Sequence, residues 1–190
     1  MKRAVFIDRD GAIAKDVSYC SRPHDFQLLP AACEGIGLLN KSGIKVIMVT
    51  NQSVIAPGYF TKAMLDRIHR KMMRDLVQHQ AHIDAIYYCF HYPDDRCDCR
   101  KLKPALIYQA AKEHGIELSQ AFFVGGQWRD VEVGHSAGCK TCLVSSNGTP
   151  EMLLNQHNMT APDFIARDFL EACMWILGSI RIEMVGGKQC

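Results

Sequence analysis

Net charge and long apolar runs are both scarce in this chain. Lys and Arg number 22 against 20 Asp and Glu, a formal balance of +2 over 190 residues. So even a balance offers no field for a nucleic-acid backbone or an anionic membrane, and any phosphate must be held by local groups. No stretch approaches the ~20 apolar residues of a membrane span, and Met1-Lys2-Arg3 passes straight into a short apolar segment without the core of a secretory signal. The expectation is a cytoplasmic protein, a monomer, with no membrane and no nucleic-acid partner. Internal repeats and low-complexity tracts are also absent, which excludes solenoids and long linkers. Cysteine is plentiful instead. Its count of nine is odd, and Cys139 and Cys142 lie in apolar surroundings, which suits reduced thiols better than a disulfide framework. A chain of this length buries roughly 70% of its unfolded surface, so one domain over 1–190 is expected, carrying a loop of its own at 89–104.

Short apolar runs alternate with helical patterns. Strands are predicted at Ala4 to Asp8, Ile44 to Thr50, Ile83 to Cys89, Ala121 to Val124 and Lys140 to Ser145. Between them, Ala32 to Leu39 has helical spacing, and the segment from Thr61 places Met64, Leu65, Ile68, Met72 and Leu76 on one face. Pro104 opens a further helix that Gly115 closes, and a last one runs through Leu170, Ala172, Trp175 and Ile176. This alternation predicts an α/β fold around a parallel sheet. Ser146 to Pro150 reads as a loop, and the residues after Ile182 are expected to fray.

Chemistry-bearing residues gather at the predicted strand ends. Asp8 and Asp10 follow the first strand, with Gly11 turning the chain at once. One carboxylate can attack an electrophile while its neighbour moves a proton, although solvated surface acids look the same in isolation. Thr50-Asn51-Gln52-Ser53 ends the second strand with hydroxyl and amide donors that suit phosphate oxygens; Thr50 and Ser53 could equally cap a turn. Cys89, His91, Cys97 and Cys99 supply three thiolates and one imidazole, the donor set of a closed tetrahedral Zn²⁺ site that fixes a loop lacking a core. The cationic segment Arg100-Lys101 follows immediately. Gly125-Gly126-Gln127 ends another strand, and Asp130 is expected one helical turn on, facing back to the pocket, with Gly134 letting that helix approach the sheet.

Taken in order, Asp8-Arg9-Asp10-Gly11, Val49 to Ser53, the zinc loop with Arg100-Lys101, and Gly125 to Asp130 resemble the zinc-containing subfamily III of the haloacid dehalogenase superfamily over nearly the whole chain. The resemblance implies a Rossmann-like three-layer sandwich with a minimal cap. It implies a Mg²⁺-dependent phosphatase of a small phosphorylated metabolite, a heptose bisphosphate first and histidinol phosphate second, acting through an aspartyl-phosphate. Asp8 is then the nucleophile, Asp10 the acid and base, Thr50 and Asn51 donors to the transferring phosphoryl group, and Lys101 the cation that neutralises it. Gln52, Ser53 and Arg100 would contact substrate, and Asp8, Asp10 and Asp130 would hold Mg²⁺. The chain departs from the pattern at Gly126, where relatives carry an Asp, and at Pro57, where they carry an Arg. The first departure removes a metal-binding carboxylate and opens a rival reading, a binding protein without turnover. On this reading Gly126→Asp restores tight metal binding.

Overall fold

The computed structural model describes residues 2–17, 20–52, 60–92, 95–145 and 160–186. Six strands form one sheet: β1 Ala4–Ile7, β2 Lys45–Asn51, β3 Ala85–Cys89, β4 Phe122–Gly125, β5 Lys140–Val144 and β6 Phe164–Ala166. Their spatial order is β3-β2-β1-β4-β5-β6 and every pairing is parallel. This is the doubly wound order, whose ligand crevice opens at the carboxyl ends of the strands where the winding reverses, here between β1 and β4. The five strands predicted from sequence are present, with ends shifted by a residue or two. β6 is additional; three residues are too few to show a periodicity.

Helices α1 Pro30–Lys41, α2 Lys62–Gln78, α3 Ala105–His114, α4 Trp128–Ser136 and α5 Phe169–Gly186 cover the sheet. The pleat sorts β1 between two cores. Val5 and Ile7 join α1, α2 and α5 residues such as Ile36, Leu65 and Phe169 on one side, while Ala4 and Phe6 join Ile107 of α3 and Val133 of α4 on the other. The predicted α2 face is largely buried: Leu65, Ile68, Met72 and Leu76 are all fully inaccessible. Truncating any of these to Ala costs about 2–5 kcal/mol. Thr61 caps α2, its Oγ1 accepting from Met64 N at 3.2 Å. Gly134 does bring α4 close, since a Cβ there would meet Thr141 at 2.6 Å and Phe123 at 2.8 Å. On the far side, Trp175 of α5 stacks on Phe164 and meets Phe122 edge-on, pinning β6 to the sheet.

Candidate active site

The crevice above β1 and β4 holds a buried charge cluster built from three distant parts of the chain. Asp8 leaves the end of β1 with its N–H donating to Val124 O at 2.9 Å, so its backbone continues the β1–β4 ladder. Lys101 Nζ lies 2.6 Å from Asp8 Oδ1 and 2.8 Å from Asp130 Oδ1. It also sits 5.6 Å above the Phe123 ring. Burial opposes the charge on Lys101, but the two carboxylates outweigh it and raise its pKa. Asp130 is pushed up to about 6, first by burial and then by the charge of Asp8, against the pull of Lys101. The cluster therefore has two acids for one cation, a surplus of negative charge where a phosphate would enter.

Asp130 is the third residue of α4 and serves as its cap: Gln127 N donates to its Oδ2 at 3.1 Å. It does not stand open as the Mg²⁺ ligand the sequence suggested: only 1% of it is accessible and both oxygens already have partners. Its place is behind Lys101. Gly126 also differs from expectation. A Cβ built there would lie 2.7 Å from the backbone C and O of Gly11, so this backbone leaves no room for the carboxylate that the resemblance led one to expect. Gly11 itself turns with φ +78°, as its place after Asp10 required.

The residue between the two acids went unnoticed in the sequence. Arg9 is a charged side chain only 1% exposed, and its guanidinium grips Asp10 twice, Nε to Oδ1 at 2.8 Å and Nη2 to Oδ2 at 2.9 Å. Gln52 adds a third restraint, Nε2 donating to Asp10 Oδ2 and to Thr50 Oγ1, both at 3.0 Å. With its oxygen accepting from Gln52, buried Thr50 retains its own O–H to donate. Gln52 thus touches the catalytic candidates and is itself 6% exposed. Asn51, expected at the phosphoryl group, has turned elsewhere: its Oδ1 accepts from Lys101 N at 3.0 Å and its Nδ2 donates to Lys101 O at 3.1 Å. Arg100 reaches back to the His91 carbonyl at 3.3 Å. Ser53, with the Val54–Gly58 stretch, lies outside the described residues.

Nearby on α2, His69 is 7% exposed and its Nε2 has no hydrogen-bond partner. Its ring meets Tyr88 edge-on at 5.5 Å. Burial, and then the positive charge of Arg9, pull its pKa down to about 4, so the imidazole is neutral.

The zinc loop assembles as its spacing implied. The ligand atoms of Cys89, His91, Cys97 and Cys99 all lie within 4.8 Å of one another. Cys89 Sγ is 3.5 Å from Cys97 Sγ and 3.6 Å from His91 Nδ1, which is 3.1 Å from Cys99 Sγ. A tetrahedral Zn²⁺ with bonds of ~2.3 Å needs ligand edges of about 3.8 Å, so these donors fit one ion with small adjustments. Four protein ligands leave no open position, and Cys99 is two residues from Lys101.

The HAD-hydrolase-like family model matches residues 98–172. Among curated relatives, the D-glycero-beta-D-manno-heptose-1,7-bisphosphate 7-phosphatase of Helicobacter pylori is 38% identical over 75% of this chain and 83% of its own. The corresponding Chlorobaculum tepidum phosphatase is 35% identical over 93% and 95%. The crystal structure of D,D-heptose 1,7-bisphosphate phosphatase from B. bronchiseptica, complexed with magnesium and phosphate, superposes with a TM-score of 0.84 at 32% identity, covering 94% of this chain and 99% of that one. With this identity spread over most of the chain and the same fold around Asp8, Asp10 and Lys101, the chain belongs to the heptose-bisphosphate 7-phosphatase family of haloacid dehalogenase-like hydrolases.

Proposed function

We propose that the protein hydrolyses the 7-phosphate of D-glycero-D-manno-heptose 1,7-bisphosphate, with Asp8 as nucleophile. The observation that carries the reading is the pair of acids with distinct surroundings at the end of β1: Asp8 faces Lys101, and Asp10 is held away from it by Arg9 and Gln52. An Asp8 oxygen forms the bond to phosphorus while the P–O bond to the sugar breaks, its electron pair leaving on the sugar oxygen. Asp10 gives that oxygen its proton. As a carboxylate, Asp10 then takes a proton from water, whose oxygen attacks phosphorus and returns Asp8 with release of inorganic phosphate. Thr50 donates to a phosphoryl oxygen and Lys101 offsets the charge that gathers there.

Mg²⁺ fits the donor set, which is all hard oxygen with surplus negative charge. The Asp8 carboxylate and the Asp10 backbone carbonyl would hold it, with water completing the shell as Mg²⁺ commonly allows. When bound it screens the nucleophile from the phosphoryl oxygens. Asp130 supports the site through Lys101, and we assign the second phosphate to Arg100, the neighbour of Lys101 in the chain. None of the eight described cysteines is in a disulfide, which supports a reducing, cytoplasmic setting. No helix among the described residues is long and apolar enough to cross a membrane.

The test is phosphate release followed by ³¹P NMR from the heptose bisphosphate, with histidinol phosphate as the comparison substrate. The parent protein should release one phosphate in the presence of Mg²⁺, and Asp8→Asn should release none while keeping its fold. A parent that binds inorganic phosphate but never turns over, at any Mg²⁺ concentration, would favour the binding-only reading that Gly126 supports.

A further inference from the structure

We infer that Asn51 is a positioning residue, which acts by clamping the backbone of Lys101 rather than by touching substrate. The inference rests on the catalytic reading of Lys101 given above. An asparagine side chain carries an acceptor oxygen and two N–H donors, and here the oxygen and one N–H engage a single residue: Oδ1 takes the Lys101 N–H at 3.0 Å and Nδ2 gives to the Lys101 carbonyl at 3.1 Å. The assignment of oxygen and nitrogen is forced, because the reversed amide would set donor against donor and acceptor against acceptor. Asn51 is the last residue of β2, paired with Cys89 of β3, so the clamp is anchored in the sheet.

Lys101 needs such an anchor. It lies on no helix or strand, in a turn between the Cys/His cluster and α3. Yet its ammonium must sit within hydrogen-bond distance of Asp8 and Asp130 together. A shift of about 1 Å in a group so placed can cost on the order of 100-fold in rate. By contrast, an amide held at both its oxygen and its nitrogen is fixed in orientation by Lys101 and not by a phosphoryl oxygen, which is the role that the second motif would otherwise give it.

A double-mutant cycle in the intact, zinc-loaded protein decides the matter. Asn51→Ala should lower kcat about 10- to 100-fold. Placed on Lys101→Ala, which keeps the backbone groups that Asn51 holds, it should change turnover and inorganic-phosphate affinity by less than about 2-fold, the tolerance expected of residues with no independent role. Losses that multiply, in rate or in phosphate affinity, would overturn the inference and return Asn51 to the substrate. If Lys101→Ala alone leaves both quantities intact, the catalytic reading of Lys101 fails instead, and the two failures are distinguishable. Should Asn51→Ala not fold, Asn51→Asp takes its place in the cycle, since it keeps the acceptor for the Lys101 N–H and loses the donor.

Discussion

Replacing His69 by Phe should make the protein more acid-resistant, by an amount that the burial of the imidazole sets. The folded pKa is near 4 against an ordinary 6.5. Between those values the unfolded chain binds a proton that the folded one refuses, so acid favours unfolding. The stability present above pH 6.5 is lost as pH falls to about 4, and a displacement of that size is worth about 3 kcal/mol. Asp130 works in the opposite sense, because its folded pKa near 6 exceeds the ordinary 3.8. The folded protein then holds the extra proton, and about 3 kcal/mol is gained as pH falls through the same window. The two contributions oppose each other in the parent. Each variant uncovers the other half: relative to parent, His69→Phe should gain about 3 kcal/mol between pH 6.5 and 4, and Asp130→Asn should lose about as much. Urea unfolding followed by circular dichroism at half-unit pH steps gives both differences, and subtraction from the parent removes groups common to all three proteins. A His69→Phe difference that stays flat across the window would show that the imidazole is not held neutral and would refute the argument.

Two further outcomes follow from the loops around the site. Gly126→Asp should cost about 1–3 kcal/mol or more in urea unfolding and bring no gain in Mg²⁺ affinity, because its Cβ would meet the Gly11 backbone at 2.7 Å; an equally stable variant that works at lower Mg²⁺ would show that Gly11 yields easily. The protein should carry one zinc per chain by elemental analysis, and a strong chelator should lower its melting temperature and its phosphatase activity together, since Cys99 and Lys101 share one short segment; zinc that leaves without a thermal shift would mean that the cluster does not staple the loop.

Much of this site can be read in advance because its chemistry sits at strand ends, and strands announce themselves through apolar runs such as Ala4 to Ile7 and Val46 to Val49. The zinc ligands are equally legible, since four donors of the right type fall within eleven residues. What could not be read depends on contacts between distant segments. Arg9 looks like a spacer until Asp10 and the core around it show why a guanidinium can be 1% exposed. Asn51 looks like a phosphate donor until Lys101, fifty residues on, occupies both ends of its amide. The want of room at Gly126 appears only when two loops from adjacent strands are brought within van der Waals contact.

The strand order also sets a timetable for synthesis. β1, apolar throughout, finds β2 on one side as soon as residue 46 is available, but its other edge waits for β4 at residue 122. At ribosomal rates of about 5–20 residues per second, that edge stays unpaired for on the order of ten seconds on the nascent chain. An exposed apolar edge is a template for pairing with other chains. Asp8 lies directly beyond that strand, so the site is completed only after the stage in which this apolar edge stands unpaired.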